Sequence, residues 1–82
     1  MNVLLSSIAK NDIRLLIRVF NAEKESMGAY FLEDLKESVN EILEQTERPE
    51  EISIYEMSNF PVNIYYIFEN ETTLFVTAVF KN

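Results

Sequence analysis

Hydrophobic positions follow a helical period in the first half of the chain and a strand period in the second half. From residue 8 to 21, and again from 27 to about 46, apolar side chains recur at steps of three and four, which predicts two helices. Ser6 or Ser7 is placed to cap the first helix and Ser26 the second, and Pro49 ends the second. A short apolar segment at 2–6 precedes both helices and predicts a buried strand.

After Pro49 apolar and polar residues alternate, which predicts three strands near residues 52–55, 62–68 and 74–80. Asn70-Glu71 lies between the last two and predicts a tight hairpin. The order is therefore β-α-α-β-β-β. Two amphipathic helices need a surface to cover, so an α+β fold is expected, with a two-helix hairpin packed on one face of a small, mostly antiparallel sheet. Residues 1–82 are expected to form a single domain.

The alternation also predicts which strand residues face the helices. Strict period two places Ile52, Ile54, Val62, Ile64, Tyr66, Leu74, Val76 and Ala78 on the helix side. The opposite face then carries Tyr55, Met57, Tyr65, Ile67, Phe75 and Val79. An apolar patch of that size indicates partner binding, either by a segment of another protein or by a second copy in a homodimer. The alternative is that a loop or a terminus covers the patch within the monomer.

Composition removes several kinds of chemistry. The chain contains no Cys and no His, so no disulfide, typical zinc site or His-dependent nucleophile is available. We assign no catalytic residue and no metal ligand, and we expect no cofactor. The N-terminus has no basic start, and no segment is long and apolar enough to span a membrane. A cytoplasmic protein without membrane contact is expected.

The net charge of −7 is concentrated in residues 23–56, which hold eleven acidic and three basic residues. This balance disfavours direct binding to nucleic acid. The acidic face of the second helix either docks a basic partner, mimics nucleic acid, or only keeps the protein soluble. Its members are Glu33, Asp34, Glu37, Glu41 and Glu44.

Basic residues form one candidate contact stripe. Lys10, Arg14 and Arg18 are four residues apart and share one side of the first helix. They either contact an acidic partner or nucleic acid, or form a solvated face that includes ion pairs with acidic residues of the second helix. Arg48 and Lys81 are further basic contact candidates.

Four segments of the chain together match a pattern found in one known family of proteins. They are residues 7–13 (Ser-Ile-Ala-Lys-Asn-Asp-Ile), 29–35 (Ala-Tyr-Phe-Leu-Glu-Asp-Leu), 60–66 (Phe-Pro-Val-Asn-Ile-Tyr-Tyr) and 74–80 (Leu-Phe-Val-Thr-Ala-Val-Phe). They resemble, in this order, the strand-to-helix junction, the second helix and two strands of the ParE/RelE toxin superfamily of bacterial toxin–antitoxin systems. The resemblance extends over nearly the whole chain.

The resemblance implies two alternative activities. RelE-like members cleave messenger RNA in the ribosome with Lys, Arg and a late Tyr, whereas ParE-like members bind and poison DNA gyrase. Here the region after the second helix is acidic, and only Arg48 and Lys81 lie near the places where RNA-cleaving members carry cations. The His- or Arg-containing tail that usually follows the last strand in such members has no counterpart before Asn82.

Three hypotheses follow. The first is a ParE-like toxin that binds a protein target and is neutralised by a cognate antitoxin. The second is a ribosome-dependent RNase with a degenerate basic site built on Arg48, Lys81 and a Tyr. The third is a non-toxic interaction protein that keeps the toxin fold.

Overall fold

The computed structural model describes residues 1–82. The elements are β1 (Asn2–Leu5), α1 (Ser7–Glu23), α2 (Met27–Leu43), β2 (Ser53–Glu56), β3 (Val62–Asn70) and β4 (Thr73–Lys81). The four strands form one sheet in the order β1-β4-β3-β2. β4 pairs antiparallel with β3 and parallel with β1, and β2 pairs antiparallel with β3. The predicted element order and the mostly antiparallel sheet are confirmed.

In each helix a side-chain oxygen accepts a hydrogen bond from an amide of the first turn, but only α1 uses the serine that was predicted to cap it. The Ser6 hydroxyl accepts a hydrogen bond from the Ala9 amide at 2.9 Å and donates to the Thr77 carbonyl at 2.6 Å, which ties the start of α1 to β4. The prediction that Ser26 caps α2 is wrong. Ser26 has φ 68° and makes no side-chain cap, and the Asn21 side chain accepts from the Gly28 amide at 2.8 Å instead.

The core lies between the helices and one face of the sheet. Phe20 of α1, Phe31 of α2 and Phe60 of the β2–β3 loop form an aromatic cluster with ring centroids 5.0–5.5 Å apart. Offset and edge contacts of this kind stabilise beyond the area that they bury. The remaining buried apolar residues are Ala9, Leu16, Leu35, Ile42, Met57, Val62, Ile64, Tyr66, Phe68, Leu74, Val76 and Val79.

A bulge in β4 overturns part of the predicted face assignment. Tyr66 pairs with Val76 and Tyr65 with Ala78, so Thr77 has no partner on β3. One extra residue inverts the alternation that follows it. Val79 is therefore buried in the core at 1% exposure, not on the outer face as predicted, whereas Phe80 is 49% exposed.

The faces of β2 are also opposite to the prediction. Met57 is buried and Tyr55 packs against the core, while Ile52 and Ile54 are 60% and 55% exposed. Strict alternation with Ile52 and Ile54 inside would also turn Glu56 toward the helices. Burial of an unpaired carboxylate costs more free energy than burial of two isoleucines gains, so β2 adopts the phase that leaves Glu56 in solvent.

Candidate protein-binding surfaces

Exposed apolar side chains gather on two separate surfaces. The first, here called the back face, is the side of the sheet that no helix covers. The second, here called the β1–α2 groove, lies on the helix side between the edge strand β1 and α2. They are separated by the sheet itself, so two different partners have access to them at once.

The back face is apolar across all four strands. The register pairs Ile54 with Tyr65, Tyr65 with Ala78, and Ile67 with Phe75, so these side chains share one side. Leu4, Ile54 and Phe80 are 48%, 55% and 49% exposed. The rings of Tyr65 and Phe80 meet edge to face with centroids 5.4 Å apart. The apolar members of the back face are Leu4, Ile54, Tyr65, Ile67, Phe75, Ala78 and Phe80.

Half of the predicted partner-binding residues belong to this face. Tyr65, Ile67 and Phe75 lie on it, half-buried among one another. Met57 and Val79 are buried in the core, and the Tyr55 hydroxyl donates a hydrogen bond to the Glu41 carboxylate of α2. Val79 lies on the helix side because of the bulge in β4, and Tyr55 and Met57 lie there because β2 keeps Glu56 in solvent. A partner role for the other three stays a prediction.

The β1–α2 groove has no counterpart in the sequence predictions. Its volume is about 540 Å³, and six of its eight lining residues are apolar. Val3 and Leu5 of β1 are only partly covered, at 39% and 36% exposure. The sequence signal was the width of the α2 stripe, in which Leu32 and Val39 extend beyond the side occupied by Phe31 and Leu35. The groove is lined by Val3, Leu5, Ile13, Leu32, Leu35, Lys36, Val39 and Asn40.

The basic stripe of α1 faces solvent. Lys10, Arg14 and Arg18 are exposed, and none of them forms an ion pair with a carboxylate. The ion pairs of the chain are Lys36–Glu33 and Lys81–Glu23. The predicted pairing with acids of α2 is therefore absent, and the contact role of the stripe remains a prediction.

Arg48 and Lys81 are engaged in contacts at opposite ends of the sheet. The Arg48 guanidinium donates at 3.0 Å to the carbonyls of Leu43 and Glu71, and it stacks 4.5 Å from the centre of the Phe68 ring. Lys81, at the other end of β4, lies 3.4 Å from Glu23 and over the Phe20 ring. Nine residues of β4 separate the two ends by about 27 Å. One phosphate therefore cannot contact both cations.

The acidic residues of α2 lie on its solvent side and toward β2. Asp34 accepts from the Asn59 side chain at 2.8 Å, and Glu41 accepts from Tyr55. No three acidic side chains gather closely enough to hold a metal ion. Neither helix is long and apolar enough to cross a membrane.

The comparisons with known proteins give one structural likeness. The fold is similar to that of a chain in the chromosomal ParDE toxin–antitoxin system from P. aeruginosa, with a TM-score of 0.79. The superposition covers 99% of this chain and 95% of the other at 11% sequence identity. No model of a protein family matches the sequence, and no curated protein matches it significantly. The protein thus has a ParE-like fold.

Proposed function

We propose that this chain is the toxin of a type II toxin–antitoxin system, that it acts in the cytoplasm by binding a protein target of the gyrase type, and that a cognate antitoxin neutralises it. The observation that carries the proposal is the fold likeness to a ParDE system over nearly the full length of both chains. At 11% identity the likeness concerns the fold, so target and antitoxin are inferred from the sequence resemblance to ParE-like toxins.

The positions of the cations favour protein binding over RNA cleavage. Cleavage of RNA needs cations gathered around one phosphate to stabilise the charge that develops there. Arg48 bridges α2 to the β3–β4 turn, and Lys81 pairs with Glu23 far from it. Binding to a protein needs instead an exposed surface with apolar anchors, and the chain has two such surfaces.

The β1–α2 groove is the surface that suits an antitoxin segment. It is apolar, it is about 540 Å³ in volume, and the strand that borders it has an edge with no neighbouring strand. A segment lying there gains apolar contacts with Val3, Leu5 and Val39, and backbone hydrogen bonds along β1. Lys36 at the rim provides a contact for an acidic residue of the same segment.

Toxicity and target are tested by inducible expression of the chain in a bacterial host. We expect growth arrest, inhibition of supercoiling by purified gyrase, and intact messenger RNA in a translating extract. Growth at the rate of the empty vector would overturn the proposal. Growth arrest accompanied by cleaved transcripts, with supercoiling unaffected, would assign the chain to the RNA-cleaving branch instead.

The groove is tested with the product of the adjacent reading frame. Val3→Glu should weaken its binding by about ten- to a hundredfold, because a carboxylate replaces an apolar anchor. Val19→Glu is the matched control, since Val19 is 40% exposed and Val3 is 39% exposed, yet Val19 lies on α1 away from the groove. Isothermal titration calorimetry measures both affinities. Equal affinities for the two variants would exclude the groove as the antitoxin site.

A further inference from the structure

We infer that the back face is the interface of a symmetric homodimer, in which the uncovered sheets of two copies pack against each other. This goes beyond the proposed function, because it concerns a surface that the groove leaves free. The inference rests on the chemistry of the face, on where the charges of the molecule lie, and on the area that the face offers.

The back face is almost free of charge in a chain that is 26% charged. Glu56, paired with Asn63, is an ionisable acid on this side of the sheet, and Glu69 lies in the register shift between Phe68 and Asn70, at the end of β3 next to the β3–β4 turn. Its remaining residues are apolar or neutral, and an antiparallel sheet with one solvated face normally alternates apolar with polar residues. Such a face suits a neutral, apolar and flat partner rather than a basic one.

A second copy satisfies that description despite the net charge of −7. The acidic residues of α2 lie on the helix side of the sheet, where Glu41 meets Tyr55 and Asp34 meets Asn59, and the sheet with its inner side chains separates them from the back face by about 10 Å, the usual spacing of packed layers. Charges separated by more than the Debye length of about 8 Å are largely screened at physiological ionic strength. Self-association through the back face therefore keeps the two acidic regions far apart.

Symmetry is also compatible with the positions of the two acids. In a two-fold interface each residue meets its symmetry-related set, so a central charge would face its own copy. β3 and β4 form the centre of the sheet, and their outward residues there are Tyr65, Ile67, Phe75 and Ala78. Glu56 lies on the outer strand β2 and Glu69 at one end of β3, so an axis through the centre separates each from its copy.

The area of the face predicts a weak dimer. Two nine-residue strands and two four-residue strands, spaced about 4.8 Å apart, cover about 400 Å² in projection. Each of the two copies buries such an area, and the uneven surface of the side chains makes the accessible area larger than its projection. The total buried by the pair is therefore roughly 1,000 Å², the lower bound for a specific interface. We therefore expect a dissociation constant on the order of 1–100 μM. The helices and the β1–α2 groove of each copy point outward and remain open.

Sedimentation equilibrium of the purified chain tests this assignment. Between about 1 μM and about 500 μM the mean mass should rise from 9.6 kDa toward twice that value. Phe80→Glu and, independently, Ile54→Glu should raise the dissociation constant at least tenfold, since each places a carboxylate in the apolar interface. Both sites are about half exposed, so circular dichroism should show that the variants keep their fold.

Leu15→Glu and Ile8→Glu are the matched controls. Leu15 and Phe80 are both 49% exposed, and Ile8 and Ile54 are 61% and 55% exposed, but Leu15 and Ile8 belong to α1. Dimers that survive in the controls and are lost in both back-face variants support the interface. A wild-type mass that stays at 9.6 kDa up to about 500 μM overturns it, as does a dimer that persists in both back-face variants. Neither result depends on toxicity or on antitoxin binding.

Discussion

Gly28, the single glycine of the chain, is required by the close approach of the two helices. A Cβ atom at this position would lie 2.7 Å from the Ile17 carbonyl oxygen and 2.8 Å from the Asn21 side-chain oxygen. The glycine amide is also the group that Asn21 caps. From the sequence alone, Gly28 is expected only to lower the stability of the first turn of α2 slightly. The structure assigns it a packing role, because its backbone forms part of the contact between α1 and α2.

Gly28→Ala should therefore lower the free energy of unfolding by about 1–3 kcal/mol, the usual cost of forcing extra atoms into a packed site. At an ordinary helical position the same substitution stabilises by about 0.5–1 kcal/mol, so the sign of the change decides the question. Urea denaturation monitored by circular dichroism measures it. A stabilised variant would show that the helices separate without cost.

Asn21→Ala separates the two contacts of Gly28. Alone it should cost about 1 kcal/mol, because the amide of Gly28 loses its acceptor. Combined with Gly28→Ala, it removes one of the two clashes, so the pair of changes should cost less than the sum of the single costs. Additive costs would place the whole clash at the Ile17 carbonyl.

At the scale of elements, the assignment of faces in β2 is testable through two residues of opposite expected burial. Met57 is 6% exposed and Ile54 is 55% exposed. Met57→Ala should lower the free energy of unfolding by about 2–4 kcal/mol through lost burial and a cavity, and Ile54→Ala by less than about 1 kcal/mol. Guanidinium denaturation of the two variants gives the comparison. The reverse order of costs would restore the faces that strict alternation predicts.

These faces mark the boundary of what the sequence could predict. Helix positions, strand positions and the element order follow from local periodicity, which short segments carry themselves. The inversion after Thr77 depends on pairing between β3 and β4, a non-local property. The local sign of this inversion is that Val76 and Val79, two buried residues, are three positions apart rather than two or four. For β2 the local sign is Glu56, because its charge determines which face of the strand points to solvent more strongly than the two isoleucines do.

The candidate surfaces were predictable to the same extent. The back face was expected as an apolar patch, and Tyr65, Ile67 and Phe75 lie on it. The β1–α2 groove was not foreseen, because it forms where β1, α1 and α2 leave a gap. The spacing of apolar residues predicts which face of an element is apolar, but it does not predict whether neighbouring elements cover that face. Val3 and Leu5 were therefore expected to be buried and are partly exposed.

Arg48 links three elements and should contribute to stability as a bridge. It joins the C-terminal end of α2, at Leu43, to the β3–β4 turn, at Glu71, across the ring of Phe68. Arg48→Met keeps part of the apolar stem and loses both hydrogen bonds, so we expect a cost of about 1–3 kcal/mol. Arg48→Lys should recover little of it, since an ammonium group lacks the planar fork that reaches both carbonyls.

The control for Arg48 is Lys36→Met, because Lys36 forms an exposed ion pair with Glu33 at 3.7 Å, in which the lysine side chain is 64% exposed. Such pairs contribute about 0–1 kcal/mol. Thermal and urea denaturation of the three variants should rank Arg48→Met lowest, followed by Arg48→Lys, with Lys36→Met near the wild type. If the Arg48→Lys variant is as stable as the wild type, the positive charge of Arg48, and not its two hydrogen bonds, accounts for its contribution to stability.

At the scale of the whole molecule, the concentration of acid in residues 23–56 has an energetic consequence. Eleven acidic residues face only three basic ones there, and α2 ends without a basic residue in its last turn. Glu41 and Glu44 lie at that end, where the helix dipole disfavours negative charge. The fold therefore carries self-repulsion that salt should relieve.

Glu44→Lys should raise the free energy of unfolding by about 0.5–1 kcal/mol at low ionic strength, because it reduces the net charge and complements the end of α2. The gain should shrink by at least half between about 0.02 M and about 0.5 M NaCl, as screening removes both terms. Glu56→Lys changes the net charge by the same amount on β2, on the side of the sheet opposite the helices, so its gain should be smaller. Urea denaturation across the salt series measures both variants. Equal gains would assign the effect to net charge alone, and a gain that is independent of salt would exclude an electrostatic origin.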